Sequence, residues 1–221
     1  MSEIAANITS LKQQIPSSVK LVAVSKTKPV SDIIIAYKTG QRCFGENRVQ
    51  EILNKKDLLP ADVEWHLIGH LQSNKVKFIV PYISMIQSVD TFKLLKIIDS
   101  ECQKINRVID CLLQIHIAEE ETKFGFSMKE LDEMADSPEF ANLKHVSIRG
   151  VMGMATFTDD TDQVRKEFTY LARCFNSLKN RYFTAAPEFS EISMGMSGDF
   201  KIAIQEGSTI VRIGSLIFGE R

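Results

Sequence analysis

The chain has 221 residues, and its 27 lysines and arginines nearly balance its 28 aspartates and glutamates, giving a formal net charge of −1. This balance argues against nucleic acid or an anionic membrane surface as a partner, and it favours a small-molecule ligand. The length suffices for one sizeable core. The four cysteines form no C-x-x-C pair and have no histidine at ligand spacing, which predicts reduced thiols, no metal site and a cytoplasmic protein.

The first segment, MSEIAANITSLKQQIP, carries charges within a helical periodicity and lacks the unbroken apolar core of a secretory signal. It predicts a helix ahead of the first strand. The apolar run in SDIIIAYK, which comes next after the first predicted strand, is far too short to span a bilayer, so no membrane association is expected.

Eight short apolar or β-branched runs follow the N-terminal segment, separated by segments with apolar residues three and four apart. The predicted strands are KLVAVSK (20–26), RCFGEN (42–47), EWHLIGH (64–70), SMIQSV (84–89), IDCLLQIHI (109–117), SIRGVMGM (147–154), SEISMG (190–195) and TIVRIG (209–214). Strands that alternate with helices predict a parallel sheet buried on both faces. Eight units of about 28 residues predict an α/β fold, a single (β/α)8 TIM-type barrel domain over residues 1–221 with an extra N-terminal helix. An open doubly wound sheet is the alternative.

In such a barrel, the loops after the strands surround one mouth, and chemistry is placed there. The residues expected at this mouth are Lys26, Glu46, Asn47, His70, His116, Met154, the run Ser193–Asp199, Gly214 and Ser215. His70 is interpreted as a residue that makes a hydrogen bond in its loop. Neither G-x-x-x-x-G-K-[ST] nor G-x-G-x-x-G occurs, which argues against a nucleotide ligand.

Lys26 ends an apolar strand, in LVAVSKTKPV. Desolvation in the mouth would lower the pKa of its amine and leave a neutral nucleophile that can form a Schiff base with an aldehyde. The alternative is an ordinary strand-end lysine whose head group reaches solvent. Position alone does not decide between the two.

The loops after the last two predicted strands are rich in glycine and serine. SMGMSGDFKIAIQEG places Ser197 and Gly198 before a helical segment, and RIGSLIFGER places Gly214 and Ser215 in a second turn. Barrels often hold a phosphate between these two loops. Each turn alone is weak evidence, because glycine and serine mark ordinary turns far more often than ligand sites.

Seven motifs, taken in order, resemble the pyridoxal phosphate homeostasis protein family: LVAVSKTKP, FGENRVQE, WHLIGHLQSNK, ETKFGF, GVMGMATF, EISMGMSGDF and VRIGSLIFGER. That family is similar to the N-terminal barrel domain of alanine racemase. The resemblance covers nearly the whole chain after the first helix. It implies that pyridoxal 5′-phosphate (PLP) is the cofactor.

The resemblance also implies the roles of site residues. Lys26 would form the internal aldimine with PLP, Arg212 would face the pyridine nitrogen, and Asn47 would lie near the ring. The phosphate would be held by Ser197, Gly198, Gly214 and Ser215. Apart from the resemblance, the methionines of the two M-G-M stretches, Met194 among them, are expected to line the flat face of the ring, with ordinary core packing as the alternative for two of the four. For Arg212, position alone also allows pairing with a carboxylate inside the barrel.

An arginine facing the pyridine nitrogen would keep it unprotonated, which makes the ring a weaker electron sink. We expect the chain to lack counterparts of the second domain and the second base of alanine racemase. We therefore expect a monomeric carrier or buffer of PLP in vitamin B6 homeostasis, without catalytic turnover, which yields the cofactor to amines or PLP-dependent acceptor enzymes. The alternatives are a PLP-dependent amino-acid racemase or decarboxylase and a Schiff-base aldolase acting on a sugar phosphate.

Overall fold

The computed structural model describes residues 2–119 and 124–220, so residues 121–123 of the motif ETKFGF lie outside the described residues. Its strands form a closed, parallel barrel in chain order. They are β1 Lys20–Val24, β2 Cys43–Glu46, β3 Glu64–Leu67, β4 Met85–Val89, β5 Ile109–Gln114, β6 Val146–Met152, β7 Glu191–Ser193 and β8 Ile210–Ile213. Strand β1 pairs with β8 from Lys20 opposite Ile210 to Ala23 opposite Ile213. This pairing confirms the predicted barrel and shows that the doubly wound alternative is wrong.

Helices surround the barrel. They are α1 Glu3–Gln14, α2 Val30–Lys38, α3 Val49–Lys55, α4 Val76–Ile79, α5 Phe92–Lys104, α6 Met128–Ala135, α7 Pro138–Ala141, α8 Thr161–Tyr182, α9 Phe200–Gln205 and α10 Ser215–Phe218, with 3₁₀ turns at Lys56–Leu58 and Ser73–Lys75. Helix α1 is the predicted N-terminal helix. Ile8 and Leu11 form its buried face, and Asn7 donates a hydrogen bond to the carbonyl of Ile217 at 3.2 Å.

Side-chain caps fix where several of the helices begin. Thr91 Oγ1 accepts the N–H of Leu94 at the start of α5, and Ser127 and Glu130 form a reciprocal capping box at α6. Asp160 caps α8, whose buried stripe of apolar residues packs on the barrel at helical spacing.

The apolar core has two parts. The larger part lies between the barrel and the helices, and includes Phe44, Ile86, Phe168 and Phe189. The smaller part fills the barrel interior with Val22, Cys43, Met85, Leu112, Met152 and Ile210. Because this inner cluster closes the barrel below the mouth, the polar residues above it face one enclosed space.

Candidate functional site

A cavity of about 750 Å³ opens at the carboxyl ends of the strands. Most of the predicted site residues line it: Lys26, Asn47, Ser197, Gly198, Arg212, Gly214 and Ser215. The barrel therefore brings an amine, a guanidinium and two small-residue turns to one space, although they are far apart in the sequence.

Met194 is the predicted site residue that the structure places elsewhere. Its side chain is fully buried in the core between the barrel and the helices. Ser193, directly before it, faces the barrel interior and contacts Arg212, so alternation along β7 turns Met194 outward. The predicted contact with the ring is therefore wrong for Met194. Met154 and Met196, from the same M-G-M stretches, line the cavity instead.

Lys26 lies in the turn that follows β1, and the backbone on both sides of it is held. The carbonyl of Ser25 accepts a hydrogen bond from Lys55 Nζ at 3.0 Å, and the N–H of Thr27 donates to Glu51 Oε2 at 2.6 Å. Thr27 has a φ of +64°, in the left-handed region that β-branched residues rarely adopt. This turn directs the Lys26 side chain to the cavity.

The groups that hold this turn form a largely buried ionic network, here named the Lys55 cluster: Lys55, Glu46, Glu51 and Ser25. Lys55 Nζ lies 2.8 Å from Glu46 Oε1 and 2.9 Å from Glu51 Oε2. Ser25 Oγ donates to Glu46 Oε1 at 2.7 Å. Burial raises the pKa of Glu46 to about 7, against the opposing effects of Lys55 and Ser25.

Glu46 was expected at the mouth, and the structure corrects this expectation. The preceding residue, Gly45, faces the barrel interior, where a Cβ would lie 2.9 Å from Val22 Cγ1. Glu46 therefore points to the opposite side of β2, towards α3. Asn47 returns to the cavity. Gly69 is needed beside it, because a Cβ there would lie 2.5 Å from the carbonyl oxygen of Asn47.

Arg212 enters the cavity from β8, and its side chain is almost fully buried. Its guanidinium donates to Ser193 Oγ at 2.6 Å and to the carbonyl of Gly153 at 3.0 Å. Both acceptors are neutral, so the structure does not bear out the alternative of a hydrogen-bonded carboxylate partner. Burial lowers the pKa of Arg212 to about 10, with Asp199 opposing the shift, so the side chain remains charged at neutral pH.

The two small-residue turns meet at one edge of the cavity. Ser197 Oγ accepts long hydrogen bonds from the N–H groups of Gly214 (3.4 Å) and Leu216 (3.5 Å). Gly195 has a φ of +94°, which permits the sharp exit from β7. A Cβ added to Gly198 would meet no atom within 4 Å. Hydroxyl and backbone N–H donors at an open edge suit an anion such as phosphate.

The opposite wall of the cavity contains a pair that the sequence interpretation described only in part. His70 lines the cavity and makes a hydrogen bond, as expected, through Nδ1 to Asp90 Oδ2 at 2.6 Å. Its ring also stacks on Phe124, with 4.0 Å between ring centroids. Asp90 and Phe124 were not predicted. The position of Asp90 directly after the buried β4 strand is the signal that could have identified it.

Comparisons with known proteins agree with this geometry. The family model for the alanine racemase N-terminal domain matches residues 1–221. The pyridoxal phosphate homeostasis protein of Pasteurella multocida (strain Pm70) is 39% identical over 227 residues, covering 100% of this chain and 96% of that protein. The chain belongs to the pyridoxal phosphate homeostasis protein family. The family and fold expected from the motifs are therefore confirmed.

Two further proteins match most of the chain. The pyridoxal phosphate homeostasis protein of Aquifex aeolicus (strain VF5) is 40% identical over 203 residues, covering 91% of this chain and 87% of that protein. The structure of PipY of Synechococcus elongatus PCC7942 with PLP bound is 36% identical, with a TM-score of 0.88, and the match covers 98% of this chain and 100% of PipY. Across the described residues, no helix combines the length and apolarity needed to cross a membrane.

Proposed function

We propose that this chain binds PLP in the barrel mouth, holds it covalently on Lys26 and yields it to amines and to PLP-dependent acceptor enzymes. The observation that carries the proposal is the convergence of Lys26, Arg212 and the two turns at Ser197–Gly198 and Gly214–Ser215 on one cavity. These groups fit three of the polar parts of PLP. An amine suits the aldehyde, a guanidinium donor suits an unprotonated pyridine nitrogen, and hydroxyl and N–H donors suit the phosphate.

The chain's own residues perform distinct tasks in this proposal. Lys26 Nζ adds to the aldehyde carbon with loss of water, and an incoming amine later replaces it at the same carbon, which regenerates the lysine amine. Ser197 and the turn at Gly214 anchor the phosphate during both steps. When bound, PLP supplies an electrophilic carbon and an electron sink.

The neutral acceptors of Arg212 support a carrier over a catalyst of carbanion chemistry. Because the guanidinium stays charged and only donates, it favours an unprotonated pyridine nitrogen and therefore a weak electron sink. We extend the proposal to a monomer acting in the cytoplasm. The described cysteines are all unpaired thiols, which supports a reducing compartment.

The first test is visible absorption of the purified chain with PLP, followed by borohydride reduction and peptide mapping. We expect a yellow species and a phosphopyridoxyl group on Lys26. Lys28 lines the same cavity, but its Nζ donates to the carbonyls of Phe218 (2.9 Å) and Glu220 (3.3 Å), so fragment spectra should show no label there. Lys26→Ala should abolish the label, and Lys129→Ala, at an exposed lysine, should not.

A chain that stays colourless and unmodified with PLP would overturn the proposal and favour the sugar-phosphate aldolase. Transfer is tested separately, by mixing the loaded chain with a PLP-dependent enzyme stripped of its cofactor. If the stripped enzyme gains activity faster with the loaded chain than with free PLP at the same concentration, transfer is direct. Equal rates would reduce the role to buffering.

The alternative of a PLP-dependent racemase is favoured by one observation, the His70–Asp90 pair in the same cavity. A carboxylate that orients an imidazole is a common proton-transfer arrangement. Exchange of an amino acid's α-hydrogen into deuterated water, lost in His70→Phe, would establish this activity. We expect no exchange above that given by free PLP.

A further inference from the structure

A chain of hydrogen bonds runs from Arg212 across the barrel interior and ends at a histidine. Arg212 Nη1 contacts Ser193 Oγ at 2.6 Å, Ser193 Oγ contacts Gln87 Oε1 at 2.6 Å, and Gln87 Nε2 contacts His66 Nδ1 at 2.8 Å. These four residues, the Arg212 chain, come from β8, β7, β4 and β3. None is more than 3% exposed.

The charge of Arg212 determines the direction of every bond in this chain. A guanidinium has no acceptor, so Ser193 Oγ must accept from it and uses its own hydrogen to donate to Gln87 Oε1. The amide nitrogen of Gln87 then donates to His66 Nδ1. A ring nitrogen that accepts carries no proton, so His66 is neutral with its proton on Nε2.

The surroundings of His66 agree with this assignment. The imidazole is 2% exposed, and burial lowers its pKa to about 3, with Lys20 acting in the same direction. No member of the chain beyond Arg212 carries a charge at neutral pH. The single charge therefore lies at the cavity end, and the rest of the chain consists of neutral dipoles aligned with it.

We propose that Gln87 and His66 are positioning residues for Arg212. They hold the Ser193 hydroxyl in the orientation that accepts from the guanidinium, so that the remaining N–H groups of Arg212 face the cavity. The consequence for PLP affinity rests on the function proposed above. The orientation of the chain itself does not, because it is a property of the protein without ligand.

The same orientation bears on a possible metal site. Cys43, Glu64 and His66 bring one potential ligand atom each to within 4.8 Å of one another. With Nδ1 accepting from Gln87 and Nε2 protonated, neither ring nitrogen of His66 has a lone pair to give a metal ion. Lys20 Nζ also lies 3.8 Å from the Glu64 carboxylate. Added Zn²⁺ should therefore leave His66 unchanged as long as the Arg212 chain is intact.

The test is nitrogen-15 NMR of the histidine rings in the full chain without PLP, with the His66 signals assigned by their loss in His66→Asn. We expect an acceptor-type Nδ1 and a protonated Nε2, neither of which changes between about pH 5 and pH 8. A protonated Nδ1, or a His66 that titrates in this range with Cys43, Glu64 and Lys20 as its charged or titratable neighbours, would overturn the proposal.

Gln87→Glu should change the protonation of His66, which a purely structural role of Gln87 would leave unchanged. Its carboxylate can accept from Ser193 and from a ring N–H, so it should draw a proton onto His66 Nδ1 and bring the histidine into the titratable range. Gln72→Glu adds the same charge at an exposed position and should leave the His66 signals unchanged. If Gln87→Glu folds and His66 keeps its original protonation, the two residues are not coupled as proposed.

A separate measurement addresses the cofactor. Gln87→Met fills the same space without hydrogen bonds, and we expect it to weaken PLP binding by about 5- to 30-fold. Unchanged affinity in this variant would overturn the positioning role. If the wild-type chain binds no PLP, the proposed function fails, while the NMR result on the unliganded chain still decides the orientation of the Arg212 chain.

Discussion

The two ends of the proposed PLP site are supported by opposite kinds of structure. The turn that carries Lys26 is held from outside the barrel by the Lys55 cluster, in which two carboxylates and an ammonium group meet. Arg212 is held from inside the barrel by the Arg212 chain, in which every acceptor is neutral. One support depends on charge, and the other depends on the direction of hydrogen bonds.

Because of this difference, the two ends of the site should respond differently to pH. Glu46, with a pKa raised to about 7, changes its charge within the physiological pH range. The Arg212 chain contains no group that does so, because the pKa of His66 lies near 3 and that of Arg212 near 10. We therefore expect pH to act on the Lys26 end of the site more than on the Arg212 chain.

The largest effect is expected from Lys55→Met. This change leaves the fully buried Glu46 without its cation, and breaking a buried ion pair in this way costs about 3–5 kcal/mol. The loss is measured as the free energy of unfolding in urea titrations at about pH 8, where Glu46 of the wild type is ionised.

Lys104→Met is the matched control for that variant. Lys104 also pairs with a glutamate on its own helix, Glu101 at 2.6 Å, but its side chain is 63% exposed. We expect the control to unfold like the wild type. Equal losses in both variants would show that burial of the Lys55 cluster contributes nothing.

Glu46→Gln should change how stability depends on pH. The folded-state pKa of about 7 exceeds the ordinary value of 4.5, so the folded chain binds more protons than the unfolded chain between these values. The contribution of Glu46 to stability is thus complete below about pH 4.5 and is lost as the pH rises to about 7, by about 3 kcal/mol.

The measurement is the difference in the free energy of unfolding between Glu46→Gln and the wild type as a function of pH. Because the variant lacks the titrating group, its free energy of unfolding should increase relative to that of the wild type between about pH 4.5 and about pH 7. A constant difference would mean that Glu46 titrates normally. The Lys26 end would then be no more sensitive to pH than the Arg212 end.

Ser193→Ala tests the other side of the comparison. It removes one of the two acceptors of Arg212 and the donor to Gln87, both buried, at an expected cost of about 1–3 kcal/mol. Because no titrating group is involved, the loss should be the same at acidic and neutral pH. Ser190→Ala, at an exposed serine just before the same strand, should cause no loss. If the loss of stability in Ser193→Ala depends on pH, the Arg212 chain is as sensitive to pH as the Lys55 cluster, and the proposed difference between them is wrong.

The sequence predicted the barrel and most of the cavity for a local reason. Buried parallel strands read as apolar runs, and charged residues such as Lys26 and Arg212 within or directly after those runs are conspicuous. Which side of a strand each residue faces was harder to predict. Strand β7 has three residues, too few to show whether Ser193 or Met194 faces inward, and the position of Glu46 depends on Gly45 facing the interior.

Neither supporting network could be predicted as a whole from the sequence. The Arg212 chain joins residues on four strands, so it requires the register of each strand as well as the closure of the barrel. In the Lys55 cluster, the spacing of Glu51 and Lys55 on α3 is visible as an i, i+4 pair, whereas the contact of Lys55 with Glu46 depends on how α3 packs against β2.

The smallest effect, and the most specific to the Lys26 turn, is expected from Thr27→Gly. Among the described residues, Thr27 and Asn106 are the non-glycine residues with positive φ. A threonine in the left-handed region costs about 1–2 kcal/mol, and the greater freedom of glycine in the unfolded chain returns part of this, so we expect a net gain in stability of about 0.5–1 kcal/mol. Asparagine tolerates the left-handed region, so Asn106→Gly should give no gain.

Stopped-flow absorbance of PLP binding then shows whether this strain serves the site. A glycine turn visits backbone conformations in which Lys26 points away from the cavity, so covalent capture should slow by a few-fold in Thr27→Gly and stay unchanged in Asn106→Gly. If Thr27→Gly gains stability and captures PLP at the wild-type rate, the contacts of Glu51 and Lys55 alone hold the turn. The position of Lys26 would then depend on the Lys55 cluster and not on Thr27.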